Sequence, residues 1–480
     1  MSKPSLWLQL FERQAGRGLG RREQLCAGLR DSMRRGELPL HERLPASRVL
    51  ASDLGLSRVT VEAAYGQLEA EGYLRREVGR GSFVAIETRG SATSLAAQGV
   101  LPRSTPPRLS ARGQRITDGG GCDDPRRPIA FAAGSPDLQA FPATLWRQLL
   151  NKRLSQGVDL LGYGDPQGLE ALRVAIAGYL RQSRGLRCDA GQVLVLTSSQ
   201  QALQLAATML LDEGDALWME EPGYRGAATA FAAAGARVLP VPVDEQGLCP
   251  SPDLAAPRMI YLTPSHQYPC GVALSLPRRL QLLDLARQEN AWIIEDDYDS
   301  EFHYEGRPMP AMQGLDEHGR VIYIGTFSKA LFPSLRLAYM VLPTSLVAAL
   351  SSARSTLDGH SAQLAQAVTA DFITQGHFAS HLRLMRQLYR QRRELLLEQL
   401  STRTGSWLQP MPSPGGLQIA ALLPTGKEPR FSRAAAALGL ATPSLSALYR
   451  GKPAQDGWLL GFSALGPAQI VEACGLLGRL

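Results

Sequence analysis

The chain has 480 residues, too many for one ordinary core, and its 44% hydrophobic and 20% charged content is that of a globular protein with two or three domains. Neither a bilayer-length apolar run nor a signal-like N-terminal segment is read in it, which argues against a membrane protein and makes a cytoplasmic one the expectation. The net charge of +7 falls entirely within residues 1–128, where 21 Lys and Arg stand against 14 Asp and Glu, so a polyanion-binding module on a neutral body is expected.

Helical spacing begins in Gly20–Arg35, with Leu25, Leu29 and Met33 on one face and Gly36 as the stop. Ser47 is expected to N-cap a short helix through Leu54, Gly55 to supply the turn, and Ser57 to cap a second helix from Arg58 to about Glu71. Val61, Ala64, Tyr65 and Leu68 of that second helix should face inward. Two short helices joined by a Gly turn are the helix-turn-helix pattern, whose second helix enters the major groove. Its first turn offers Ser57, Arg58 and Thr60, an arginine suited to guanine and hydroxyls suited to phosphate or base edges. Gly72–Arg76 and Gly79–Val84 read as a hairpin with Arg80 at its tip. Residues 36–84 resemble the GntR-type winged helix along nearly their whole length. That resemblance implies DNA contact through Arg48 and Arg58, supported by Ser57, Thr60 and Arg80. The domain is placed at 15–86.

Residues 87–128 are rich in Ser, Thr, Pro, Gly and Arg, and are read as a flexible linker. From Ile129 to the end, helical patterns alternate with β-rich runs such as Val193–Leu196, Met259–Leu262, Trp292–Glu295 and Val321–Ile324, which predicts an α/β domain with a mainly parallel sheet. Two segments there carry chemistry. Gly325-Thr326-Phe327-Ser328-Lys329 follows an apolar strand and precedes Pro333-Ser334-Leu335-Arg336, so it sets a lysine among phosphate-binding groups. Upstream, Ile293-Ile294-Glu295-Asp296-Asp297-Tyr298 places an acid at a strand end, where it can hold a pyridine nitrogen protonated. Six scattered cysteines (Cys26, Cys122, Cys188, Cys249, Cys270, Cys474) are read as small hydrophobes, and no metal site is expected.

Taken together these segments resemble fold-type I aminotransferases, and the whole chain resembles the MocR family of regulators, which fuse a GntR-type winged helix to such a domain. Further matching pieces are Leu161–Gly168, Thr197–Leu203, Glu221–Tyr224, Thr263–Pro269 and Ser334–Tyr339. The resemblance implies pyridoxal 5'-phosphate on Lys329 as a Schiff base, with Lys329 the catalytic lysine if any chemistry is done. Asp296 would face the pyridine nitrogen, Tyr298 and His266 the ring hydroxyl, and Tyr224 the ring face. Ser198, Ser199, Thr326, Ser328 and Arg336 would take the phosphate, helped by the helix N-terminus at Ser199. Tyr163 would reach the partner subunit of a homodimer. The fold expected is a large domain at 129–480 with a mainly parallel sheet and a smaller C-terminal α/β subdomain.

Two positions depart from the family pattern. Ser198 stands where a glycine is usual, tolerable if its φ is negative. Leu459, in Trp458-Leu459-Leu460-Gly461-Phe462, stands where aminotransferases hold the substrate carboxylate with an arginine; Arg225 and Arg450 are candidate substitutes. Efficient transamination is therefore not expected. The reading is a regulator that binds a double-stranded operator, with pyridoxal phosphate as effector and with or without an amine or amino-acid ligand, controlling vitamin B6 or amine metabolism. Two alternatives stay open: a competent aminotransferase with a DNA-binding appendage, and a cofactor-free domain serving dimerisation.

Overall fold

The computed structural model describes residues 6–14, 18–77, 79–86, 108–120, 129–306, 309–405 and 407–480, in two units, 1–107 and 108–480. Residues 87–107 and 121–128 of the predicted linker, with Cys122, lie outside the described residues, as do residues 15–17 at the start of the predicted first domain.

The first unit is built from α1 (Leu6–Glu12), α2 (Arg21–Arg34), α3 (Ser47–Leu54), α4 (Arg58–Ala70) and the hairpin β1 (Leu74–Glu77) and β2 (Gly81–Val84). Leu25, Leu29 and Met33 of α2 meet Leu50, Leu54, Val61, Tyr65 and Leu68 in one small core, as their spacing requires. Helix α1, which sequence spacing did not reveal, lies so close to α2 that a Cβ on Gly28 would stand 2.5 Å from the Leu10 carbonyl oxygen; only glycine fits there. Between α3 and α4, Gly55 takes left-handed backbone (φ +62°) and Ser57 accepts from the Thr60 amide at 3.1 Å, a true N-cap. Ser47 behaves differently from the expectation. It is the first residue of α3 rather than its cap, and its hydroxyl donates to Glu62 of α4. A carboxylate one helix away outcompetes the amides of its own helix for that hydroxyl, because α4 packs against α3.

The second unit opens with α5 (Ala111–Asp118), a helix inside the stretch read as linker, capped by Ser110. It continues through α6 (Ala143–Ser155), α7 (Glu170–Ser183), β3 (Val193–Leu196), α8 (Ser199–Leu210), β4 (Ala216–Glu221), α9 (Arg225–Ala233), β5 (Arg237–Asp244), β6 (Gly247–Leu248), β7 (Met259–Leu262) and α10 (Leu276–Gln288). Then follow β8 (Trp292–Asp297), β9 (Val321–Thr326), the one-turn α11 (Phe327–Ala330), β10 (Ala338–Val341), α12 (Thr344–Asp358), α13 (Gln363–Thr374) and α14 (His377–Arg403). Eight strands form one sheet in the order β3-β10-β9-β8-β7-β4-β5-β6. The run β9-β8-β7-β4-β5 is parallel, and β10 is antiparallel to both its neighbours. Alternate residues serve opposite faces: Leu194, Tyr261, Ile294 and Ile324 pack on α8 and α9, while Val195, Tyr323 and Tyr339 face α7 and α13. This is the mainly parallel α/β sheet expected.

A second sheet, antiparallel in the order β11-β12-β13, joins β11 (Gln409–Pro410), β12 (Gln418–Leu423) and β13 (Asp456–Gly461), flanked by α15 (Glu428–Ala437) and α16 (Pro467–Leu477). It is the smaller C-terminal subdomain. Phe131 forms an isolated antiparallel bridge to Gly461, where a side chain would drive a Cβ to 2.0 Å from the Ala132 carbonyl oxygen. The 131–134 segment thus runs along β13 towards the main sheet. No helix among the described residues is long and apolar enough to cross a membrane.

Candidate cofactor site and nucleic-acid interface

The C-terminal ends of parallel strands converge on one edge, which is where open α/β sheets bind ligands. Register fixes the convergence: Ala338 of β10 stands opposite Leu196 at the end of β3 and opposite Thr326 at the end of β9. The N-terminus of α8, which follows β3, is therefore set beside the Thr326–Lys329 turn that follows β9. Ser198 caps α8 by accepting from the Gln201 amide at 3.1 Å, with φ −167°, ordinary extended backbone. The condition under which serine replaces the usual glycine is met. Thr326 caps α11 by accepting from the Ser328 amide at 3.1 Å. Ser199 and Ser328 are half-buried nearby on the first turns.

Lys329 lies in the short turn of α11, half-buried, and its Nζ donates to the Gly134 carbonyl at 2.7 Å. Gly134 has φ +73°, and a Cβ there would lie 3.0 Å from that Nζ. Asp296, next to last in β8, is 5% exposed and accepts from the Tyr261 hydroxyl at 2.8 Å. Burial, joined by the charges of Asp297 and Asp299, pushes its carboxyl up to about 7 despite the Tyr261 bond. No cation pairs with Asp296 among the described residues. A buried carboxyl in this state is complemented by a protonated aromatic nitrogen, and the hydroxyls opening α8 and α11 suit a phosphate, so the residues present fit pyridoxal phosphate.

Tyr298 and His266 come together as expected, but His266 lies behind Tyr298 in a buried network. Its Nδ1 is 3.0 Å from the Tyr298 hydroxyl and 3.1 and 3.2 Å from the two Asp299 carboxylate oxygens, while Nε2 is 2.8 Å from the Ser413 hydroxyl. Tyr224, at the start of α9, meets the edge of Tyr268 with ring centres 5.7 Å apart, and Tyr268 in turn meets Tyr298 at 5.9 Å. Two expected phosphate contacts are exposed in the single chain. Arg336 is exposed, in left-handed backbone (φ +54°), and Tyr163 is fully exposed, touching only the edge of His360 among the aromatic rings.

Sequence reading gave no site role to Asp299, Tyr261, Tyr268, Ser413 or Gly134. Asp299 continues the Asp296-Asp297-Tyr298 run and was within reach of the same argument. Ser413 arrives from the small subdomain, 147 residues from His266, with no local signal. Leu459 is 1% exposed in an apolar group with Ala420 and Leu445, bordered by Ala133 and Tyr268. Neither candidate arginine is part of that group; both line a cleft that borders it through Leu448 and Tyr449.

A second buried acid, Glu220 at the end of β4, accepts from the Thr263 amide and hydroxyl at 3.1 and 2.6 Å, and burial pushes it up to about 7. For an acid whose folded pKa lies above its unfolded value near 4, the stabilising effect is complete at low pH and is lost as pH rises through about 7. The melting temperature of the cofactor-free protein should therefore fall between about pH 5 and pH 8. Asp296→Asn and Glu220→Gln should each flatten that slope in differential scanning calorimetry, and an unchanged slope in both would refute the assignment.

In the first unit, Arg48 near the start of α3 and Ser57 and Arg58 at the head of α4 are all exposed, with Thr60 half-buried beside them. The Ser57 and Thr60 hydroxyls are 2.7 Å apart, so the cap orders this turn. Arg80 sits in the hairpin turn between Gly79 (φ +75°) and Gly81 (φ +119°), paired with Glu77 at 2.7 Å, which also takes Arg75 at 2.9 Å. The four buried cysteines among Cys26, Cys188, Cys249, Cys270 and Cys474 and the half-buried Cys249 are all free.

Comparison with known proteins matches both units. Residues 21–84 match the model of bacterial regulatory proteins of the gntR family, and residues 126–445 that of aminotransferase class I and II. The probable rhizopine catabolism regulatory protein MocR of Rhizobium meliloti is 40% identical over 462 residues, covering 95% of this chain and 92% of that one. The HTH-type pyridoxine biosynthesis transcriptional regulator PdxR of Corynebacterium glutamicum is 31% identical, covering 92% and 91%. Among solved structures, the kynurenine aminotransferase of Pyrococcus horikoshii, in complex with PMP, superposes with a TM-score of 0.68 at 26% identity, covering 81% of this chain and 98% of that one.

Proposed function

Because the chain belongs to the MocR family of regulators, a gntR-type DNA-binding domain joined to an aminotransferase-like domain, we propose that it is a transcriptional regulator whose DNA binding responds to pyridoxal 5'-phosphate held through Lys329. The observation that carries this reading is Asp296, a buried acid without a cation, on the same sheet edge as the Lys329 amine and the capped turn of α8. When bound, the cofactor supplies an aldehyde carbon that bonds an amine and a ring that withdraws electrons from it. Lys329 holds that group, and the Gly134 carbonyl orients its amine. Asp296 supplies the charge for the ring nitrogen. Tyr298 directs its hydroxyl at the ring oxygen, while His266, fixed by Asp299 and Ser413, keeps Tyr298 in place. Tyr224 covers the ring, and Ser198, Ser199, Thr326, Ser328 and Arg336 take the phosphate.

Tyr163, exposed as a bare aromatic ring, is assigned to the partner subunit's site in a homodimer. Two copies of the first unit then meet paired half-sites, with Arg48 and Arg58 at the bases and Ser57, Thr60 and Arg80 in support. Occupancy of the cofactor site shifts the population between forms that bind the operator well and poorly. An amine or amino-acid ligand can act with the cofactor. Leu459 leaves a substrate carboxylate without its usual partner in an apolar group, so turnover of ordinary amino acids is not the role of this domain.

The test is a titration of the full chain with pyridoxal phosphate, followed by absorbance and by fluorescence anisotropy on DNA from the upstream region of the protein's own gene. Wild type should develop a saturable visible band and change its operator affinity by roughly 5-fold or more, within the usual span of coupling free energies. Lys329→Ala should show neither. A wild type lacking a Lys329-dependent band would leave the second unit as a dimerisation domain.

A further inference from the structure

The second unit carries a cleft of about 340 Å³ that the cofactor reading does not use, formed by the end of β4, the start of α9, the end of α5 and the loop after Ser446–Leu448. Arg225 and Arg450 both line it, both exposed, and neither forms an ion pair with a described residue. Between them in the wall is Glu221. One of its carboxylate oxygens accepts from the Arg450 and Gly451 amides at 2.8 and 2.9 Å; the other is buried and has no hydrogen-bond partner among the described residues. Asp118, at the end of α5, is already engaged by the Gln114 amide group at 2.7 Å. Thr229 closes α5 onto α9 through the Gly119 carbonyl at 3.4 Å.

The unmet groups are complementary in sign. Two guanidiniums lack an anion, and one buried carboxylate oxygen lacks a donor. An inorganic anion would satisfy the arginines and leave the Glu221 oxygen bare; an amine would do the reverse. A zwitterion satisfies both, and the volume is at the small end of ligand pockets. We propose that this cleft is a non-covalent binding site for a small amino acid, its carboxylate on Arg225 and Arg450 and its ammonium on Glu221. The cleft borders the apolar group around Leu459, with which it shares Leu448 and Tyr449, but its charged lining is its own, and the proposal stands whether or not the cofactor reading does. Its wall includes the end of α5, the first described element of the second unit.

The experiment is isothermal titration of the full chain, with and without pyridoxal phosphate, using L-alanine, L-glutamate and 5-aminopentanoate as probes. At least one should bind saturably, one per chain, with similar affinity in both states and without moving the visible band. Arg225→Gln, Arg450→Gln and Glu221→Gln should each weaken it by about 10-fold or more, since each removes one charged partner. Glutarate, lacking the ammonium, and 1,5-diaminopentane, lacking the carboxylates, should bind at least about 10-fold more weakly. Unaltered circular dichroism and melting of the variants, whose changed side chains lie at the surface or keep their backbone acceptor, separate lost binding from lost folding. No saturable heat with any of the three, unchanged affinity in both arginine variants, or glutarate binding as well as the amino acids would overturn the proposal.

Discussion

Asp296→Asn should raise the dissociation constant for pyridoxal phosphate about 100-fold, the equivalent of roughly 3 kcal/mol for breaking a buried charge pair. The substitution isolates the charge. An asparagine keeps an oxygen able to accept from the Tyr261 hydroxyl, a bond of 2.8 Å in the native chain, and has nearly the same shape. What disappears is the negative charge that a ring nitrogen would meet. Burial already holds the native carboxyl near neutrality, up to about 7, so the empty variant should be more stable than wild type above that pH while binding the cofactor far less well. Titration of the visible band, with calorimetry on the same samples, reads both effects. A variant binding as tightly as wild type would remove Asp296 from the site, whatever became of its stability.

Arg58→Ala should weaken binding to the specific operator by about 1–3 kcal/mol, roughly 5- to 150-fold, and relax the preference at one base position. The side chain is exposed on the first turn of α4 and makes no ion pair with a described residue, so its removal costs the isolated fold little. The helix start survives because it depends on Ser57 accepting from the Thr60 amide. Arg80→Ala offers the contrast. Arg80 shares Glu77 with Arg75 in the hairpin and is not on α4. Its loss should weaken all sequences alike and lower the salt dependence of binding by about one unit of slope. Anisotropy on operator and on scrambled DNA at several salt concentrations distinguishes the two. Equal losses on both DNAs for Arg58→Ala would refute its base-reading role.

Features set by neighbours in the chain were legible in the sequence. Gly55 and Ser57 announced the turn and cap because both act on backbone within three residues, and the apolar spacing of Leu25, Leu29 and Met33 needed only helical geometry. Lys329 and Asp296 were legible for the same reason: Asp296 lies at the end region of β8 and Lys329 just beyond β9, and both strands advertise themselves by apolar runs. What failed was whatever depended on a distant partner. Ser47 was expected to serve its own helix, and Glu62 took its hydroxyl. The orientation of His266 is decided by Asp299 and Ser413, the second of which comes from another subdomain. Helix α5 was hidden by its composition: Ala111-Arg112-Gly113-Gln114 looks like linker until Ser110 caps it and α9 offers a surface.

The order of strands in the large sheet also governs when the chain can become itself. β3 occupies the outer position, and its sole neighbour among the described strands is β10, made from residues well over a hundred positions later. During synthesis, Val193–Leu196 leaves the ribosome as an apolar strand with both edges bare, and stays so until Val341 has been added. Through that interval its bare edges are open to pairing with other chains. The capped turn of α8 is likewise not brought opposite Thr326 until Ala338 arrives to align both. Every truncated product ending between residues 86 and 338 therefore carries the whole sequence of the first domain without the sheet edge at which Lys329 and the α8 turn meet.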